Sequence, residues 1–183
     1  MQDGATKEAV CDELTGLYDA GKVGPREYEY PEREPYLARR RACGWGLYGA
    51  LGISRGEKDK MHAQRRRNFQ FFGAPVGLIF SMDHELGQGS WLDYGMFLQN
   101  IMIAARPFGL ETCPQAAFVE FREVLQQRLR IPPEQTIVCG ISLGYPDLDE
   151  EVNSFVPERI KIEEFVTWVE TQPEQRSPEY QRL

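Results

Sequence analysis

The residues from Ser90 to Arg106 carry a helical pattern with almost no polar face. One stripe is Trp91, Gly95, Leu98, Met102 and Ala105. A second is Tyr94, Phe97, Ile101, Ala104 and Phe108, and only Asp93, Gln99, Asn100 and Arg106 interrupt the apolar surface. A helix that is apolar nearly all round has to be covered on every side. In a chain of 183 residues, that means the core on one face and a partner subunit on the other. The expectation is an obligate homodimer built on the helix 91–106. Ser90 opens it, with Asp93 in the place of a capping-box acid. Pro107 removes a helical hydrogen bond and ends or kinks it.

Around this helix the punctuation is regular. Thr6 to Ala20 reads as a helix with Thr6 as N-cap and Gly21 as its stop. Lys22 to Pro35 is a loop rich in Pro, Glu and Tyr, in which Tyr28 and Tyr30, with Tyr36 just beyond, are either lid aromatics or surface packing. Tyr36 to Leu51 is a second helix ended by Gly52. Ser54 caps a third, from about Gly56 to Phe72. Val76 to Met82 is an unbroken apolar strand, which predicts cover on both faces. Val119 to Leu129 is a short amphipathic helix, and Thr136 to Leu143 a second buried strand. Asp147 to Glu151 is a solvated turn, Phe155 to Glu170 mixes extended and helical patterns, and Gln172 to Leu183 is a polar tail. Two strands among five or six helices predict an α+β sandwich, a single domain over residues 1–183.

Composition narrows the function classes. The net charge of -7 argues against general nucleic-acid binding. Arg33 to Arg67 holds ten Lys/Arg against three Asp/Glu. This segment is either a set of solvated helix faces or a positive rim for a phosphate-bearing cosubstrate. Cys11, Cys43, Cys113 and Cys139 form no C-x-x-C pair, and no signal peptide is present, so a reduced cytoplasmic location is expected. No stretch reaches about 18 uninterrupted apolar residues, which speaks against a membrane span. His62 and His84 are the only histidines and lie on different segments. That leaves no His-rich metal site and little support for a Ser-His-Asp triad.

Five segments carry a family resemblance. Ala74-Pro75-Val76-Gly77-Leu78-Ile79-Phe80 resembles the central strand of the FMN-dependent nitroreductases. Trp91-Leu92-Asp93-Tyr94-Gly95-Met96-Phe97-Leu98-Gln99-Asn100 resembles their central helix. Thr112-Cys113-Pro114-Gln115-Ala116-Ala117-Phe118 resembles their flavin-contacting loop, and Val138-Cys139-Gly140-Ile141-Ser142-Leu143-Gly144-Tyr145-Pro146 their last core strand. Pro157-Glu158-Arg159, followed by Glu163-Glu164-Phe165-Val166, resembles their C-terminal arm. The likeness covers about Arg65 to Trp168.

The resemblance implies a dimeric sandwich with a central mixed sheet flanked by helices. It implies FMN as cofactor and NAD(P)H as cosubstrate. Hydride would pass through flavin N5 to a nitroaromatic, quinone or similar small-molecule acceptor. It places Pro114, Gln115, Ala116, Ala117, Gly144 and Arg159 at the flavin. A backbone N–H at Ala116 or Ala117 would donate to N5, where a fixed donor stabilises the reduced ring. Arg159 would hold the FMN phosphate, a task suited to a permanently charged, bidentate group; a surface ion pair with Glu158 or Glu163 is the other reading. No side chain is expected to act as a catalytic acid, base or nucleophile, and no metal is expected.

The chain departs from the family's pattern at its start. The Arg-x-Ser-x-Arg-type segment that grips the FMN phosphate has no counterpart. Neither has the following A-P-S-x-x-N-x-Q-P-W-like segment. Where the family often has a cation two residues before the arginine, this chain has Pro157. It looks shortened by about 60 residues on the usual domain size, and weak flavin retention is expected. The alternative function is a flavin-poor family remnant acting as a non-catalytic interaction protein.

Overall fold

The computed structural model describes residues 4–169. Glu170 and the polar tail from Gln172 lie outside them. Helix α1 (Gly4–Asp19) stops at Gly21, whose φ of +68° suits a residue without Cβ. Helix α2 (Tyr36–Ala50) ends before Gly52, as expected. The third helical pattern does not run through. Helix α3 (Lys58–Arg66) gives way to a 3-10 turn, Arg67–Gly73, in which Phe71 and Phe72 take left-handed backbone conformations. Ser54 is not its cap. The Glu57 carboxylate instead accepts the Ser54 backbone N–H, at 2.7 Å.

Strand β1 (Val76–Asp83), helix α4 (Gln88–Ala105), strand β2 (Glu111–Gln115), helix α5 (Arg122–Leu129) and strand β3 (Gln135–Gly144) complete the regular elements. The expected helix over 119–129 begins as a 3-10 turn, Ala116–Phe121, and becomes α-helical at Arg122. The sheet runs β1-β3-β2, and both pairings are antiparallel. This corrects the expected mixed sheet and adds a third strand. β2 escaped the sequence reading because Pro114 sits in its middle. A proline is tolerated in a strand only where its missing N–H is not needed, and β2 is an edge strand.

The middle strand β3 is buried along most of its length. β1 is also an edge strand, and Val76 stays 42% exposed, so its apolar run does not mean two covered faces. Where β1 meets β3 the register skips: Phe80 faces Cys139, and Ser81 faces Ile137. Val138 is the extra residue, and its carbonyl accepts the Tyr28 hydroxyl at 2.9 Å.

One side of the sheet is packed by the chain itself. Phe69, Phe71, Phe118, Phe121, Leu125 and Ile137 form a core with Val10 and Leu14 of α1. Two glycines make room for it. A Cβ on Gly140 would lie 2.3 Å from the Phe118 ring, and one on Gly77 would lie 2.6 Å from the Phe71 ring. The two rings stack at 4.6 Å.

On the other side, the packing among the described residues comes from α4, with Tyr28 beside it. Tyr94 and Leu98 pack on Met82, Val138, Cys139 and Ile141, and the Tyr94 hydroxyl donates to the Ser81 carbonyl at 2.9 Å. Gly87, not a side chain, stands at the N-cap of α4, and Asp93 is exposed without a capping role. Pro107 does end the helix, through a 3-10 turn closed by left-handed Gly109. The expectation of burial on all sides fails within one chain. Only Ala105 of α4 is fully buried, while Leu92, Met96, Phe97 and Ile103 are more than half exposed. Beyond β3, residues 147–169 run as an irregular arm with 3-10 turns at Glu151–Ser154 and Ile162–Glu164. Phe155 of the arm lies against Gly46 of α2.

Candidate functional site

β2 delivers the chain into the 3-10 turn that follows it, and this junction holds four of the expected site residues. Pro114 is exposed in β2, opposite Ile141. Gln115 is 3% exposed and locked: its amide donates to the Asn68 carbonyl at 2.8 Å, and its oxygen accepts the Ser142 hydroxyl. A buried amide satisfied on both ends fixes its backbone. Ala116 and Ala117 follow directly and face a cleft of about 470 Å³. Asn68 and Arg65 line the same floor. The segment before α2 supplies Arg26, Glu29, Tyr30 and Glu32, and α2 itself supplies Arg40.

Glu120, in the same 3-10 turn as the two alanines, is the residue the sequence did not reveal. Its carboxylate is 6% exposed. Arg26 donates to Oε1 through Nε at 2.9 Å and Nη2 at 2.7 Å, and Arg65 donates through Nη2 to both oxygens at 2.8 and 2.9 Å. The Glu120 carbonyl also accepts the Gly24 N–H at 2.9 Å. A buried carboxylate needs such partners, since an unpaired charge taken from water costs several kcal/mol. The partners lie 94 and 55 residues away in sequence, so no local pattern announces them. Arg65 alone came from a stretch flagged as basic.

The rest of that stretch divides. Arg66 pairs with Asp19 at 2.8 Å and Lys60 with Glu57 at 2.6 Å, as solvated faces do. Arg40 and Arg65 do line the cleft. Of the tyrosines, Tyr30 lines the cleft, Tyr28 is a packing residue set edge-on to Tyr30 and Trp91, and Tyr36 lies under Arg33 and Arg39. Burial pushes the Tyr28 hydroxyl above the ordinary phenol range. Burial also pushes the Cys139 thiol up to about 11, and all four cysteines are free.

Two expected residues stand away from this floor. Gly144 pairs with Glu111, at the opposite end of β2 from Gln115. It is buried, and a Cβ there would lie 2.7 Å from the Pro75 ring, so close packing accounts for the glycine. Arg159 is on the arm, exposed, and its Nη1 donates to the Pro157 carbonyl at 3.0 Å rather than to Glu158 or Glu163. It is not among the residues lining the cleft.

The sequence pattern of the nitroreductase family matches residues 18–145. A 4-nitrobenzoate reductase of Nocardioides sp. (strain LMS-CY) is 40% identical over 172 residues, covering 91% of this chain and 70% of that protein. A chloronitrobenzene nitroreductase of Comamonas testosteroni is 39% identical over 170 residues, 91% of this chain and 75% of that protein. Among solved structures, the FMN and NADPH-dependent nitroreductase NfnB from sphigopyxis sp. strain HMH matches with a TM-score of 0.85 at 29% identity, over 91% of this chain and 76% of that one. All three strands and the alanine-floored turn lie inside the matched span, and the chain belongs to the nitroreductase family.

Proposed function

We propose that this protein is an FMN-dependent oxidoreductase that takes reducing equivalents from NAD(P)H and delivers them to a nitroaromatic, quinone or similar small acceptor. The observation that carries this reading is the pair Ala116–Ala117, flooring an arginine-lined cleft within the span that matches the family. The residues fit a flavin ring. A cleft of about 470 Å³ is of ligand-binding size, and two methyl side chains let a flat ring approach the backbone.

The redox chemistry, hydride in from NAD(P)H and reducing equivalents out to the acceptor, is supplied by FMN when bound. The chain's own part is positional. Ala116 or Ala117 would hold a backbone N–H at flavin N5, and the locked Gln115 keeps that turn rigid. The short side chains leave the open ring face to cosubstrate and acceptor in turn, which gives ping-pong kinetics. Protons come from solvent. Arg159 would hold the phosphate: its guanidinium is exposed, and among the described residues only its Nη1 is engaged. Two copies pair through the exposed face of the helix 91–106, in the cytoplasm. No helix among the described residues is long and apolar enough to cross a membrane.

The test is a titration of the full chain with FMN, read by absorbance near 450 nm, followed by NADPH. Bleaching on NADPH and recovery on adding nitrobenzene are expected; failure to bleach at saturating FMN overturns the reading. Arg159→Ala should weaken FMN by about 10-fold or more, the worth of a charge-assisted contact. Riboflavin, which lacks the phosphate, should bind unchanged. Equal losses for both would make Arg159 structural.

A further inference from the structure

The three guanidinium groups of the cleft are not equivalent. Arg26 and Arg65 are committed to Glu120 through contacts of 2.7–2.9 Å to a carboxylate that is 6% exposed. Releasing either would leave that buried carboxylate with one of its two cations. Arg40 is held differently. Its partner Glu32 is 85% exposed, and the closest approach is 3.6 Å, too long for a hydrogen bond. Exposed ion pairs of this kind contribute little. Arg40 thus presents its donors to the cleft with a counter-charge that a ligand can displace at small cost.

The chemistry of the ligand follows from the two ends. With the flavin ring on the alanine floor, the ring's open face offers the acceptor a flat aromatic surface to stack on. At Arg40 the cleft offers a planar fork of N–H donors, which matches a carboxylate in bidentate geometry. Glu29 and Glu32 share the lining, so the cleft has no broad positive field that would draw in any anion. Discrimination has to come from direct contact with Arg40.

We infer that Arg40 is a specificity residue that reads a carboxylate on an aromatic acceptor, so that the preferred substrates are nitroaromatic acids rather than neutral nitroarenes. This rests on the oxidoreductase reading of the cleft and names the substrate class for it. A phosphate of the nicotinamide cosubstrate offers the same anionic chemistry, and the experiment separates the two sources.

Benzoate and benzamide have the same ring and no nitro group, so they report binding without turnover. Each is titrated against the full chain held at saturating FMN and followed by ligand-observed NMR, alongside NADP+ and NAD+. An Arg40→Gln loss of FMN affinity with riboflavin unmoved would give the arginine to the flavin phosphate and overturn the inference. The wild type should bind benzoate more tightly than benzamide. Arg40→Gln should weaken benzoate by about 10-fold and benzamide by less than 2-fold, an approximate allowance for lost packing. Arg40→Lys should recover part of the loss, because the charge returns without the fork. Glu32→Gln should tighten benzoate about 2-fold by removing the competitor. Equal losses for benzoate and benzamide, or no preference for benzoate in the wild type, overturn the inference. So does an Arg40→Gln effect confined to NADP+ with NAD+ unmoved, which would give the arginine to the cosubstrate's phosphate. In each of those cases, bleaching by NADPH and recovery with nitrobenzene still stand for the oxidoreductase reading. Their loss in the wild type is what removes it.

Discussion

The two sides of the sheet are finished in different ways. On one side, Phe69, Phe118 and Leu125 are fully buried, supplied by a turn, a turn and a helix of the same chain. On the other, α4 seats Tyr94 and Leu98 on the sheet and leaves Leu92, Met96, Phe97 and Ile103 facing outward. The arm adds more apolar surface: Val156, Phe165, Trp168 and Val169 are all more than 60% exposed. A chain can hide one face of a small sheet with its own residues. Among the described residues, the back of the covering helix α4 stays open. The closed side holds the chain's own core, and the open side is where the proposed pairing of two copies would take place.

The sharpest way to break this contrast is Phe118→Ala. The ring is 0% exposed and fills the space above Gly140. Its loss should cost about 3–5 kcal/mol, measured by urea unfolding with assembly held constant. A loss under about 1 kcal/mol, well short of a core cavity, would mean the closed side is not the stability core.

Phe97→Glu probes the open side. Phe97 is 51% exposed, and its ring meets those of Phe80 and Tyr94 in edge-type pairs. The cost to the fold should be about 1 kcal/mol, the worth of such aromatic pairs. Sedimentation should move from dimer to monomer. A wild type that already sediments as a monomer would show that the open face meets no second copy.

How far the sequence foretold this contrast depends on the kind of signal. Periodicity and breakers placed β1, β3, α4 and the stop at Pro107, because those signals are local. They could not say which molecule covers α4, since an apolar stripe looks the same against its own core or a partner. β2 was hidden by Pro114, and Glu120 by partners far along the chain. At the candidate site, Ala116 and Ala117 were found through a resemblance; nothing in two alanines states a function. The cleft walls at Arg26, Tyr30 and Arg40 exist only once the segment before α2 folds over that turn.

The smallest expected effect lies at the margin of the closed side. Asp19 accepts from His62 at 2.9 Å and Arg66 at 2.8 Å, joining α1 to α3. The His62 hydrogen bond first, and then the Arg66 one, hold its carboxyl below the usual carboxylate range. A folded value below the unfolded one means the stabilisation is present above the unfolded value, near pH 4, and is lost as the pH falls through the folded value. Asp19→Asn should therefore lower the Tm slightly at pH 7, and the gap to wild type should close on acidification. A gap constant from pH 7 to pH 2.5 would mean that the carboxylate is not the source.

Gly77 and Gly140 have a consequence for how this protein can vary. Each is a hole in the sheet already filled by a phenyl ring from the turn it supports, so neither can accept a side chain without displacing the ring. Substitutions at these positions propagate into the stacked Phe71–Phe118 pair and from there to the Ala116–Ala117 turn, only one or two residues before Phe118. On the proposed function, acceptor preference would then vary most readily at the cleft's walls. Libraries or natural divergence that alter Tyr30, Glu32 or Arg40 should yield folded proteins with changed tastes, while those that touch the two glycines should yield mostly losses.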